Sequence, residues 1–150
     1  GSDIHYQELT RAQLFTQGGY KMRIKTNAEY VNEEIQLISL MPVSGAELKE
    51  KRGRAEDGSE GDLKLAPNGK VQYRTPFKVM ALDENGNPKY EERNVSVTIL
   101  DRVDIRPAEY YEIEGDVWIT PYSAGNQVGL SIIAESVEPA GSGLPRLMDE

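Results

Sequence analysis

Residues 110–137 read YYEIEGDVWITPYSAGNQVGLSIIAESV, two runs of alternating polarity joined by a short polar loop. Successive side chains of a strand point to opposite faces. Tyr111, Ile113, Val117 and Ile119 therefore share one face, and Glu112, Glu114, Asp116, Trp118 and Thr120 share the other. In the second run Val128, Leu130, Ile132 and Ala134 form an inward row. Two long strands with one apolar side need a sheet to close over them, so the chain is expected to be mainly β. The same alternation predicts Trp118 on the wet face.

The other strand signals fit around this pair. In KMRIKT, Met22 and Ile24 alternate with Lys21, Arg23 and Lys25, the pattern of a half-exposed strand with a basic outer row. IQLISLMPV, residues 35–43, is richer in apolar residues, and the two segments read as separate strands or as one element broken at residues 27–32. Residues 71–82 alternate Val71, Tyr73, Thr75, Phe77, Val79 and Ala81 against a basic-then-apolar set, with Pro76 marking an edge or a bulge. Asn85-Gly86 is a reversal signal, and residues 93–100 supply the partner strand with Val95, Val97 and Ile99 inside. Pro107 keeps residues 101–109 from forming a long helix.

Ahead of these strands, Ile4, Leu9, Ala12 and Phe15 suggest one face of a short helix that stops at Gly18-Gly19. Gly1-Ser2 has the look of a cloning remnant. Residues 1–20 are thus read as remnant plus helix, 21–138 as the β domain, and 139–150 as a Gly/Ser/Pro-rich flexible tail. Within the domain, residues 44–69 are rich in glycine and charge and poor in β-branched residues, the composition of a flexible insertion. They carry the basic cluster Lys49, Lys51, Arg52 and Arg54, followed directly by Glu56, Asp57, Glu60 and Asp62.

Charge is distributed unevenly. The net value is −8, yet residues 21–78 hold 11 basic and nine acidic side chains, whereas residues 79–150 hold five and 14. The front of the domain is mildly basic and the back strongly acidic. The chain has no cysteine, which excludes a cysteine nucleophile, thiolate metal sites and disulfides, and fits a reducing, cytoplasmic compartment. His5 is the sole histidine, so no catalytic histidine stands in the body of the domain. Acidic pairs such as Asp101/Asp104 and Glu112/Glu114 lack a ligand pattern. No enzyme, metal or cofactor is expected, and no apolar run is long enough to span a membrane.

Five principal strands, a long insertion after the first, a tight hairpin, a connector and a closing hairpin predict a five-stranded Greek-key barrel of OB type, with the short N-terminal helix outside it. An open β-sandwich is the alternative. The run YYEIEGDVWITPY followed by GLSIIAESV resembles the closing hairpin of the OB-fold single-stranded DNA-binding proteins, with a central glycine at Gly115 and an Ala-x-x-Val ending at Ala134 and Val137. The resemblance covers roughly residues 35–138. It implies a non-catalytic domain with single-stranded DNA as its partner. The tail is reduced to RLMDE, which leaves open whether it recruits partners.

Sequence-tolerant single-strand binders join a basic groove to aromatic faces on which bases stack. The predicted contributors are Arg74 and Lys78 from the second strand, Trp118 from the fourth, the cluster Lys49, Lys51, Arg52 and Arg54, and Tyr122 in the closing loop. Tyr73 and Phe77 are read as core unless a bulge at Pro76 turns them outward. Glu112, Glu114 and Asp116 share the face of Trp118 and oppose a phosphate chain. The competing reading is an adaptor module that forms homo-oligomers or binds a protein partner, using the N-terminal helix, an uncovered strand edge, or outward apolar residues such as Ile38, Leu40, Met80 and Leu82.

Overall fold

The computed structural model describes residues 23–54 and 56–140. The expected N-terminal helix and most of the expected tail lie outside these residues. The fold is mainly β, with one α-helix and one 3-10 turn among the described residues. Its elements are β1 (Ile24–Asn27), α1 (Ala28–Glu34), β2 (Ile35–Ile38), a 3-10 turn (Gly45–Glu47), β3 (Arg52–Arg54), β4 (Glu60–Leu63), β5 (Tyr73–Arg74), β6 (Lys78–Leu82), β7 (Pro88–Glu91), β8 (Val95–Ile99), β9 (Tyr110–Ala124) and β10 (Gln127–Pro139).

The hairpin of β9 and β10 is the centre of the sheet. β10 pairs antiparallel with β9 and parallel with β8. The opposite edge of β9 is shared by two short strands, β2 at Tyr110 and Tyr111 and β1 at residues 116–119. KMRIKT and IQLISLMPV thus supply successive partners of one edge, interrupted by α1. Asn27 caps that helix by accepting from the Tyr30 N–H at 3.3 Å. Asn32 then fills the gap left in the ladder, because its carboxamide donates to the Ile113 carbonyl and accepts from the Ile113 N–H, both at 2.8 Å. A side chain replaces a strand there, so the edge backbone of β9 stays satisfied.

The ladder order is β5-β8-β10-β9-β2-β6-β7, a path with two ends. The sheet is open, which corrects the expectation of a closed barrel. The break has a local cause. Pro76 has no N–H to donate, and residues 75–77 leave the ladder together. Pairing slips by one residue across this gap, from Tyr73 opposite Ile99 to Met80 opposite Glu91. The Thr75 hydroxyl spans it by donating to the Val97 carbonyl at 2.8 Å.

The core lies on the face that alternation selects. Leu37, Val79, Ile99, Ile113 and Val117 are almost wholly buried, with Tyr111, Ile132, Ala134 and Val137 beside them. Tyr73 and Phe77 pack against this cluster, and the Phe77 and Tyr111 ring centroids are 5.3 Å apart. A bulge in β9, where Gly115 and Asp116 together face Glu135 of β10, sets Val137 opposite Ile113 on the core side. Within the bulge, Gly115 holds a φ of 86°, and a Cβ on it would come within 2.8 Å of the Glu135 Cβ. Val128, expected inside, is 71% exposed because it lies beyond the last ladder that covers that face.

Candidate nucleic-acid interface

Residues 44–69 carry definite backbone pairing. Ser44 and Glu47 form a capping box around the 3-10 turn. The Arg102 guanidinium then gathers the turn's carbonyls, donating to Gly45 at 3.0 Å, Ala46 at 3.2 Å and Leu48 at 3.1 Å, while lying 4.3 Å from the Tyr73 ring centroid. Beyond this root the backbone runs beside β5. The Arg74 N–H donates to the Lys49 carbonyl and the Lys51 N–H to the Gln72 carbonyl, both at 2.8 Å. The Lys51 carbonyl in turn accepts from the Lys64 N–H at 2.9 Å. β3 and β4 close the segment as a small separate hairpin.

This folding sets Lys51 and Lys64 beside the outer face of the sheet. There they line a groove of about 340 Å³ together with Arg23. Its surface is built from Gln72, Ser96, Thr120, Ser131 and Ile133, with Tyr122 as its aromatic wall. The Arg23 Nε donates to the Thr120 hydroxyl at 3.4 Å. Gln72 is 2% exposed and accepts from the Thr98 hydroxyl at 2.7 Å, which fixes its carboxamide. The Tyr122 ring lies directly over Gly129, where a Cβ would come within 2.4 Å of Cζ. Its hydroxyl donates to the Asn94 carbonyl at 3.3 Å. None of the described residues lining this groove is acidic.

The predicted contributors separate. Lys51 and Tyr122 line the groove; Lys49 is exposed beside it, with its carbonyl committed to the strand pairing. Arg52 turns to Glu50 at 3.7 Å and donates to the Gly61 carbonyl at 3.2 Å. Arg54 stands on β3 opposite Glu60. Arg74 is exposed on β5 opposite Thr98, and Lys78 on β6 reaches Glu91 at 3.9 Å; neither lines the groove.

Trp118 requires a correction. It does face away from the main core, as its parity demands, but it is only 6% exposed. Ala66, Leu100 and Ile133 cover it in a second apolar cluster. Lys25 lies 5.8 Å from its ring centroid and also pairs with Asp116 at 3.5 Å. The indole therefore supports the sheet beneath the groove and offers no face for a base. Of the acids expected on its face, Asp116 is paired with Lys25, and Glu112 and Glu114 lie farther along β9. Glu114 is pushed above the usual carboxylate range by the hydrogen bond and charge of Glu138, with smaller contributions from burial and Asp101.

Arg23 and Lys64 were not among the predicted contributors. Arg23 belongs to the basic outer row of KMRIKT and was visible as such. Lys64 carries no sequence signal, since its position depends on β3 and β4 folding back toward β5. Among the described residues no group of three or more histidines, cysteines or acids is placed to hold a metal ion, and no helix is long and apolar enough to cross a membrane.

No family model, curated protein or solved structure matches this chain.

Proposed function

We propose that this chain is an OB-like domain that binds single-stranded nucleic acid, with DNA as the first candidate, in the groove of Arg23, Lys51, Lys64 and Tyr122. One observation carries the reading. Three cationic side chains and an aromatic ring surround a floor of hydroxyl and amide groups with no carboxylate among them, on a chain whose net charge is −8. A phosphate chain needs the cations, and a base needs the ring. The acids that argued against such a partner stand elsewhere on β9.

The OB-like part of the proposal rests on the hairpin that Pro76 interrupts. β5 with β6, and β7 with β8, are successive parts of that one bulged hairpin. Taking each pair as a single strand, and β1 with β2 as another, gives with β9 and β10 the five strands of an OB-type domain, in a sheet that remains open. The groove then lies on the outer face, between the loop after the first strand and the closing hairpin. Binding here is a non-catalytic, cytoplasmic activity in this reading.

The test is a titration of fluorescently labelled oligo(dT) by anisotropy at two salt concentrations. Saturable binding that weakens as salt rises supports the proposal. An absence of binding at low salt overturns it. Trp118 quenching is a poor substitute, because the indole is covered.

A further inference from the structure

The floor of the basic groove has two ends. In the ladder Trp118 of β9 stands opposite Ile133 of β10, and Ile133 opposite Thr98 of β8. Gln72 joins this row through its bond to the Thr98 hydroxyl. Tyr122, opposite Gly129, marks the other end. From Trp118 to Tyr122 along β9 is about 13 Å. A base stacked on the tyrosine ring therefore leaves the Gln72 end to a neighbouring nucleotide.

Gln72 is buried to 2% exposure, and its Oε1 is committed to Thr98. Among the described residues its Nε2 has no hydrogen-bond partner, yet no side-chain nitrogen or oxygen there is both sealed from solvent and unpaired. The amide N–H2 therefore opens onto the groove that the residue lines. A donor so largely desolvated costs free energy until an acceptor meets it. Ser96, Ser131 and Thr120, in the adjoining row, carry hydroxyls that can donate or accept. The Gln72 N–H2 can only donate.

The groove also sets which part of a nucleotide reaches this donor. Arg23 and Lys64 are exposed at its mouth, and phosphates, which are costly to desolvate, stay with those cations. A base hung from that backbone turns its far edge to the floor. In a pyrimidine the ring atom opposite the glycosidic nitrogen carries a carbonyl in thymine and uracil, and an amino group in cytosine. The carbonyl accepts from Gln72, whereas the amino group sets donor against donor.

We infer that Gln72 makes the inner end of this groove selective for keto pyrimidines, thymine or uracil, over cytosine. The inference rests on the single-strand reading of the groove and adds to it a base preference set by one buried amide.

The test compares oligo(dU) with oligo(dC) of the same length, whose bases differ along that edge alone. Binding to the full chain is followed by anisotropy in mildly alkaline buffer, where cytosine stays neutral. Wild type should bind oligo(dU) about tenfold more tightly, and Gln72→Met, which removes the donor, should bring that ratio to about one. Gln72→Glu keeps an oxygen to accept from Thr98 but no amide donor, and should lose the preference as well. Equal wild-type affinities overturn this inference and leave the proposed function standing, whereas binding of neither oligonucleotide overturns both. A preference that survives both substitutions overturns the assignment to Gln72.

Discussion

Lys64→Ala separates the groove from generic surface charge. The Lys64 side chain is exposed, and its backbone N–H makes the bond to Lys51, so truncation leaves that pairing in place. If Arg23, Lys51 and Lys64 each neutralise one phosphate, the slope of log affinity against log salt is about −2.1 for a single strand. Raising salt from about 50 to about 200 mM should then weaken oligo(dT) binding by roughly 18-fold. Removing one contact reduces the slope to about −1.4 and the loss to roughly sevenfold. Lys78→Ala serves as the control, because Lys78 lies off the groove and pairs with Glu91. Anisotropy titrations at four or more salt concentrations give the three slopes. A wild-type slope near zero, or a slope changed by Lys78→Ala and not by Lys64→Ala, refutes the assignment of the groove.

Tyr122→Ala should weaken oligonucleotide binding by about 1–3 kcal/mol, the usual worth of one base stack, while Tyr122→Phe retains most of it; both are read by the same anisotropy titration. Trp118→Ala should cost about 3–5 kcal/mol of stability as a buried large-to-small change, seen as a lower urea midpoint. Glu114 binds its proton more tightly in the folded chain than in the unfolded one, so its contribution to stability falls as pH rises through the raised pKa. Glu114→Gln should therefore raise the thermal midpoint at neutral pH and make no difference well below the carboxylate range, as a calorimetric pH series would show.

Alternation in the sequence located the faces of the sheet well. Tyr111, Ile113 and Val117 are buried where their parity puts them, and Val97 and Ile99 line the core from β8. Parity gives a direction and says nothing of what waits there. Trp118 points away from the core as expected, yet Ala66 and Leu100 reach it from distant parts of the chain, and those contacts leave no local pattern. The basic cluster shows the same limit. Its four charges look equivalent in the sequence, but strand pairing at residues 49–51 brings Lys51 to the groove, while Arg52 turns to Glu50. Helix α1 was missed because seven residues offer barely two turns of periodicity. The closed barrel failed at Pro76, which sequence flagged as a bulge without revealing that the ladder would part there.

The cover over Trp118 also gives the domain an internal gauge. Ala66 opens a turn in which its N–H and carbonyl bond to Lys70 and Gly69, and this turn rests on the only tryptophan in the chain. Lifting it would let water reach the indole and move its emission to longer wavelength. Lys64 lies two residues before that turn, so a ligand that pulls on the lysine strains the lid over the chromophore. A spectral shift on adding oligonucleotide would thus measure movement of the loop, with no base ever touching the ring.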